Sequence, residues 1–218
     1  MKIGIADTVP LNDPEVYQRI YDSLPGIRQA KADSLKVMSA KYQSVAAGWL
    51  MVQCVGDLAQ GNVCVSMAEQ GIRRDSDREK TIYYNLSHSG EMAACIVAGF
   101  PVGIDVEVVK KCRMSVAGKC FNKQECFLLE QAEDETKRAE FFTKFWTKKE
   151  SASKLTGEGL SRICSRKNLE ETDEICTVSE RLQKGTDIYY LTVAFYKEDS
   201  IKLPDQILPI RRIGYENV

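Results

Sequence analysis

Histidine occurs once in the 218 residues, at position 88, and tryptophan only twice. One histidine excludes a histidine-rich metal centre. The eight cysteines (54, 64, 95, 112, 120, 126, 164 and 176) could suggest a disulfide scaffold, but they include no CxxC pair and only one histidine is there to help ligate zinc, so reduced thiols are expected. Cys95 sits in an apolar run and reads as a small hydrophobe, Cys120 and Cys126 flank a helix start, and no cysteine has a nucleophile context that would pair it with His88. Neither charge sign dominates. With 30 basic and 31 acidic residues the net charge is −1, which leaves no global field for nucleic acid or an anionic membrane, so an anionic ligand must be met by a local patch. No apolar run approaches the roughly 20 residues of a membrane span. The opening MKIGIADTVPLND lacks the long apolar core of a secretory signal, and a cytoplasmic location is expected.

What is present divides into helical and strand-like stretches. Met1 to Asp7 reads as a strand. Asn12, Asp13 and Pro14 open a helix through about Leu24, which Pro25 and Gly26 interrupt. From Arg28 to Val55 the three-and-four spacing of Leu35, Met38, Tyr42, Val45, Ala46, Trp49, Leu50 and Val52 predicts the main N-terminal helix. Glu69 to Lys80 is polar and predicts a loop. Thr81 to Leu86, Met92 to Ala98 and Val102 to Val108 predict strands, the last two forming a hairpin through Gly99, Phe100 and Pro101. Asn122 and Glu125 have capping-box spacing for a helix through about Ala132, and a long helix follows from about Arg138 to Leu155, ended by Gly157 and Gly159. Ile188 to Tyr196 and Thr177 to Leu182 predict a final strand pair across Lys184 to Asp187. Helix followed by strands thus occurs twice. A duplicated α+β layout is expected, although no repeat is visible residue by residue.

Three strings carry the chemistry. In NLSHSG (Asn85 to Gly90), Ser87, His88, Ser89 and Gly90 predict a loop of small side chains and hydrogen-bond donors suited to an anionic oxygen. In GIDVE (Gly103 to Glu107), strand alternation turns Asp105 and Glu107 to one side, and two converging carboxylates repel unless a proton or a hard cation such as Mg²⁺ shares the site. A solvated strand end is the plain alternative. In FWTKKES (Phe145 to Ser151) and beyond, Phe141, Phe142, Phe145 and Trp146 supply an apolar stripe, while Glu150 and Lys154 lie one helical turn apart. An ordinary surface ion pair has the same spacing.

Taken in order, NLSHSG, PVGIDVE and FWTKKESASKLTGEGL resemble the 4′-phosphopantetheinyl transferases of the Sfp type, over residues 85 to 160. These enzymes move the phosphopantetheine arm of coenzyme A to a serine of a carrier protein. The resemblance implies a fold of two pseudo-twofold-related α+β halves, here 1–104 and 105–218, with the active site at the interface between them. It implies that His88, assisted by Ser87, contacts the coenzyme A pyrophosphate. Asp105, Glu107 and Glu150 would hold Mg²⁺, Glu150 would also take the serine proton, and Lys154 would neutralise charge near the leaving 3′,5′-ADP. Members of the family carry basic residues early in the main helix that reach the 3′-phosphate and adenine. The matching region here offers Arg28, Lys31, Lys36 and Lys41, of which Arg28 and Lys31 are helical neighbours and are the expected pair. The family's Gly-Lys-Pro before the histidine string is absent, and Arg73 is the expected substitute. The implied partners are coenzyme A and an acyl or peptidyl carrier protein, with no nucleic acid and no membrane, and a monomer is expected.

Two other readings compete. Clustered carboxylates with a lysine also suit a Mg²⁺-dependent phosphodiesterase or nuclease, against which the lack of a basic surface argues. A non-catalytic module binding coenzyme A or carrier protein is the other, and binding alone would not require a proton acceptor.

Overall fold

The computed structural model describes residues 1–56, 82–165, 175–199 and 210–216, and the backbone of 57–58, 72–74, 81 and 200–202. The chain is α+β and forms two compact units, Met1–Phe100 with Pro209–Val218, and Pro101–Leu208.

In the first unit a sheet is ordered β2-β3-β4-β1-β8, with β1 at Lys2–Asp7, β2 at Ile72–Arg74, β3 at Thr81–Ser89, β4 at Met92–Ala98 and β8 at Ile210–Arg212. All pairings are antiparallel except β1 with β8. Helix α1 (Pro14–Asp22) starts where Asp13 accepts hydrogen bonds from the amides of Glu15 and Val16, with Pro14 in the first turn. The single helix expected from Arg28 to Val55 is two, α2 (Gly26–Asp33) and α3 (Met38–Leu58). The break falls at Ser34, whose hydroxyl donates to the Lys31 carbonyl and so competes with the helical backbone, while Asp33 accepts from the Tyr21 hydroxyl. Residues 44–51 of α3 are buried all round, because the helix packs on β1, β3 and β4 on one side and on α1 and α2 on the other.

Among the described residues, the second unit packs four α-helices with a three-stranded antiparallel sheet ordered β5-β7-β6. The strands are β5 (Val102–Val108), β6 (Ile175–Lys184) and β7 (Asp187–Tyr196). The helices are α4 (Met114–Cys120), α5 (Lys123–Glu130), α6 (Glu135–Thr156) and α7 (Leu160–Ser165). The capping box at Asn122 and Glu125 forms in both directions, and Gly157, at φ 69°, caps α6 in the left-handed conformation that glycine adopts without strain.

Three expectations are corrected. Met92 to Ala98 and Val102 to Val108 do not form a hairpin: β4 pairs with β1 and β3, and β5 pairs with β7. Gly99, Phe100 and Pro101 lead the chain from one unit into the other. The true hairpin is β3 with β4, turned by Gly90 at φ 55° and held by the Gln43 side-chain amide on the Gly90 carbonyl. Residues 69 to 80 contain a strand, β2, rather than a loop alone. The division expected after residue 104 falls after Phe100, and the last residues rejoin the first unit because β8 pairs with β1.

Candidate active site

The carboxylate string sits on β5 and is met by α6. Gly103, Asp105 and Glu107 share a face of the strand, with Ile104 and Val106 buried on the other. A Cβ on Gly103 would lie 2.0 Å from the carbonyl oxygen of Ser151 and 2.7 Å from the amide nitrogen of Leu155, so only glycine admits the helix backbone this close. That approach seats Lys154 against the strand. Its Nζ donates to Asp105 Oδ1 at 2.8 Å and to the Ile104 carbonyl at 3.1 Å. Glu150, one turn earlier and half-buried, has its carboxyl pushed up first by burial and then by the charge of Asp105, an effect Lys154 opposes and Glu107 reinforces. Four expected residues, Asp105, Glu107, Glu150 and Lys154, are thus electrostatically one group.

The donor set suits a hard cation, since it offers carboxylate oxygens, and the charges of Asp105 and Glu107 raise the proton affinity of Glu150. It is not a closed cage. Among the described residues no group of three or more histidine, cysteine, aspartate or glutamate side chains is arranged to hold a metal ion, and the cation facing Asp105 is Lys154. Mg²⁺ in nucleotide sites is held by one or two carboxylates together with substrate phosphates, so an incomplete protein set is compatible with that ion.

Beside Glu107 opens a cleft of about 640 Å³, lined also by Val108, Lys110, Lys111, Cys112, Arg113, Phe142, Thr143 and Trp146. The Arg113 guanidinium lies 5.5 Å from the Trp146 ring centre and 5.9 Å from that of Phe142. Phe142 and Phe145 turn inward onto Phe121, with ring centres 5.4 and 5.7 Å away, which assigns most of the aromatic stripe to packing. Lys149 is also buried, and burial lowers its ammonium pKa against the opposing charge of Glu125.

Within the first unit, the NLSHSG string is a strand rather than a loop, because Ser87, His88 and Ser89 pair with Ala94, Ala93 and Met92. Ser87 and Ser89 are buried and His88 is exposed, so Ser87 and His88 point to opposite faces. Arg28 and Lys31 also part company. Arg28 turns onto α3, donating to the Ser44 carbonyl at 2.9 Å, and burial lowers its pKa, whereas Lys31 stays exposed. Among the described residues, Arg28 Nε and Ser44 Oγ are buried without a hydrogen-bond partner, an arrangement that suits an anionic oxygen. Arg73 lies in β2 opposite Ile82, and its side chain falls outside the described residues.

Sequence reasoning passed over Ser44, Gly103 and a polar seam beneath α6. Tyr190 and Arg181 both donate to Glu140 Oε2, at 2.9 and 3.0 Å, and Thr147, Thr192 and Ser179 join through their hydroxyls. The signal for the seam was the spacing of Thr143, Thr147 and Ser151 along one helix face. Burial raises the pKa of Cys95, Cys112 and Cys164, the last to about 12 with a hydrogen bond to Cys120, which makes these three thiols poor nucleophiles. Among the described residues no helix is long and apolar enough to cross a membrane.

Comparison with known proteins finds likeness over the same part of the chain. Residues 101–198 match the 4′-phosphopantetheinyl transferase superfamily. The chain is 37% identical over 79 residues to 4′-phosphopantetheinyl transferase Sfp of Bacillus subtilis (strain 168), covering 36% of this chain and 35% of that protein. It is 34% identical over 79 residues to 4′-phosphopantetheinyl transferase gsp of Aneurinibacillus migulanus, covering 36% and 33%. With 4′-phosphopantetheinyl transferase HetI of Nostoc sp. (strain PCC 7120 / SAG 25.82 / UTEX 2576) the likeness is 29% identity over 164 residues, covering 71% of this chain and 69% of the relative. The matched stretch spans about a third of the length of Sfp and gsp. The stretch that matches the family is the one in which β5 and α6 bring Asp105, Glu107, Glu150 and Lys154 together, and over it the chain is similar to the 4′-phosphopantetheinyl transferase superfamily, Sfp-type members among them.

Proposed function

We propose that this protein transfers the 4′-phosphopantetheine arm of coenzyme A to a serine hydroxyl of an acyl or peptidyl carrier protein, in a Mg²⁺-dependent reaction that releases 3′,5′-ADP. The observation that supports this best is the seating of Lys154 on Asp105 with Glu150 one turn away in the field of both strand carboxylates. Asp105, Glu107 and Glu150 would hold the magnesium, which when bound supplies Lewis-acid polarisation of the phosphoryl oxygens. Glu150 takes the proton of the carrier serine, a task for which a carboxylate of raised proton affinity is suited. As the serine Oγ–P bond forms, the bond from that phosphorus to the leaving 3′,5′-ADP oxygen breaks. Lys154, held in place by Asp105 and the Ile104 carbonyl, offsets the charge that develops there.

Arg28 and Ser44 supply donors for another phosphate of coenzyme A, and His88, exposed near the end of β3, contacts the pyrophosphate. The cleft beside Glu107, with apolar Phe142 and Trp146 and a basic rim, suits the arm that is to be moved. The test is incubation with an apo carrier protein, coenzyme A and Mg²⁺, followed by intact mass measurement. A gain of one phosphopantetheine on the carrier, lost in Asp105→Ala, is the expected result. An unchanged carrier across a panel of acyl and peptidyl carriers would overturn the reading, and cleavage of DNA or RNA in place of transfer would favour a phosphodiesterase.

A further inference from the structure

Helix α6 crosses its sheet obliquely. Glu140 meets Tyr190 and Arg181 on β7 and β6, Thr147 meets Thr192 on β7, and Lys154 reaches Asp105 on β5. The middle contact is unusual in its chemistry. Thr147 and Thr192 are both fully buried, and their hydroxyl oxygens lie 2.7 Å apart. Thr192 is the register partner of both Asp105 and Ser179, and the Ser179 hydroxyl lies 2.8 Å from that of Thr192. Thr147 donates its proton to the Lys144 carbonyl at 3.0 Å. Each hydroxyl has one proton, so the chain runs in one direction, from Ser179 to Thr192 to Thr147 to the backbone of α6.

A valine has the shape of threonine and would fill either buried site, but apolar contact does not fix a register, because it changes little as two surfaces slide. A hydrogen bond weakens steeply with distance and angle. The rung that carries Asp105 is therefore tied to the helix one turn before Glu150.

We propose that Thr192, with Thr147 and Ser179, is a positioning residue that sets the registry of α6 on the sheet and so aims Glu150 and Lys154 at Asp105. This rests on the transfer reading for its kinetic consequence and on geometry alone for its structural one. Misplacement of reacting groups by about 1 Å costs on the order of a hundredfold in rate, and the shift allowed by one lost hydroxyl is smaller, so a loss of about tenfold is expected.

The experiment compares wild type with Thr192→Val and Thr192→Ser. In carrier transfer, Thr192→Val lowers kcat about tenfold and leaves KM for coenzyme A within about twofold, and Thr192→Ser restores the rate. A second measurement does not involve turnover. Lys154 is labelled with acetic anhydride and its rate is followed by peptide mass spectrometry, with Lys144 and Lys148 as internal references. The ion pair slows Lys154 in wild type and in Thr192→Ser, and Thr192→Val speeds it several-fold. Wild-type kcat and wild-type labelling in Thr192→Val would overturn the proposal, as would a Thr192→Ser variant as impaired as Thr192→Val. A wild type that transfers nothing while Thr192→Val still speeds Lys154 labelling would sink the transfer reading and leave the positioning role standing. Should Thr192→Val fail to fold, Ser179→Ala, at the partly exposed start of the chain, is read in the same two assays, and wild-type values in both would overturn the proposal.

Discussion

Lys154 Nζ lies 2.8 Å from Asp105 Oδ1, and the Asp105 side chain is only 5% exposed while that of Lys154 is 29% exposed. The aspartate is thus fixed by its surroundings and the lysine retains an open side, the division of labour expected of a cation that must meet both a protein anchor and a passing phosphate. Removing either partner loses transfer by about 10²-fold or more. The double variant Asp105→Ala with Lys154→Ala is expected to lose much less than the product of the two single losses, because the pair acts as a unit. Turnover of the four proteins at saturating Mg²⁺ measures this, and fully multiplicative losses would show that the two residues act independently.

Glu150 gives a prediction in which stability and activity part. Its folded-state proton affinity is raised, so the folded protein binds more protons than the unfolded chain as pH rises above the ordinary carboxylate range, and stability falls through that window. Glu140 has the opposite sign: chiefly because of its hydrogen bond from Arg181, its carboxyl is held low, and its contribution is lost as pH falls through that lowered value. Glu150→Gln removes the first effect. In metal-free protein it is expected to gain stability relative to wild type as pH rises from acid to neutral, while transfer falls by about 10² to 10⁴. Urea unfolding across pH, alongside turnover, checks both halves.

Ser44→Ala separates binding from folding. The hydroxyl is buried without a hydrogen bond among the described residues, so its removal costs little stability or adds a little. Coenzyme A affinity, by contrast, is expected to drop by about tenfold, the loss of one hydrogen bond to a charged group. Calorimetric titration with coenzyme A and a thermal melt of the same sample decide it, and equal affinity would remove Ser44 from the phosphate site.

Gly103→Ala drives a methyl group into the Ser151 carbonyl, which is backbone and cannot swing aside. The helix must lift from the strand. A loss of about 1 to 3 kcal/mol is expected from such overpacking, with transfer falling further than stability because Lys154 moves away from Asp105. Chemical denaturation and turnover measure the two, and an unchanged kcat would show that the separation of helix and strand is not critical.

Local chemistry was legible in the sequence. The Asn122 and Glu125 box, the Pro14 start and the Gly157 stop each need only residues within one turn, and each formed as read. So did the alternation that puts Asp105 and Glu107 together and the spacing that puts Glu150 above Lys154. What failed depended on partners distant in sequence. Ser87, His88 and Ser89 have the composition of a loop, and pairing with β4 overrode it. Met92 to Ala98 and Val102 to Val108 are neighbours in sequence, yet each takes its partners elsewhere. Arg28 and Lys31 have clamp spacing, but the carbonyl of Ser44 draws one of them inward. The hydroxyl chain through Thr192 was hidden for the same reason, since a threonine in a strand gives no sign of what lies across from it.

The parallel pairing of β8 with β1 has a consequence for synthesis. Tyr215 belongs to the same core as Trp49 and Leu50, and its hydroxyl donates to the Asp7 carbonyl. The edge of the first sheet is therefore finished by residues that leave the ribosome after the whole of the second unit, which is an insertion within the first. During translation the growing N-terminal body waits with β1 bare along one side, where an unpaired strand invites foreign pairing. Its integrity is settled by a segment made only after the second unit.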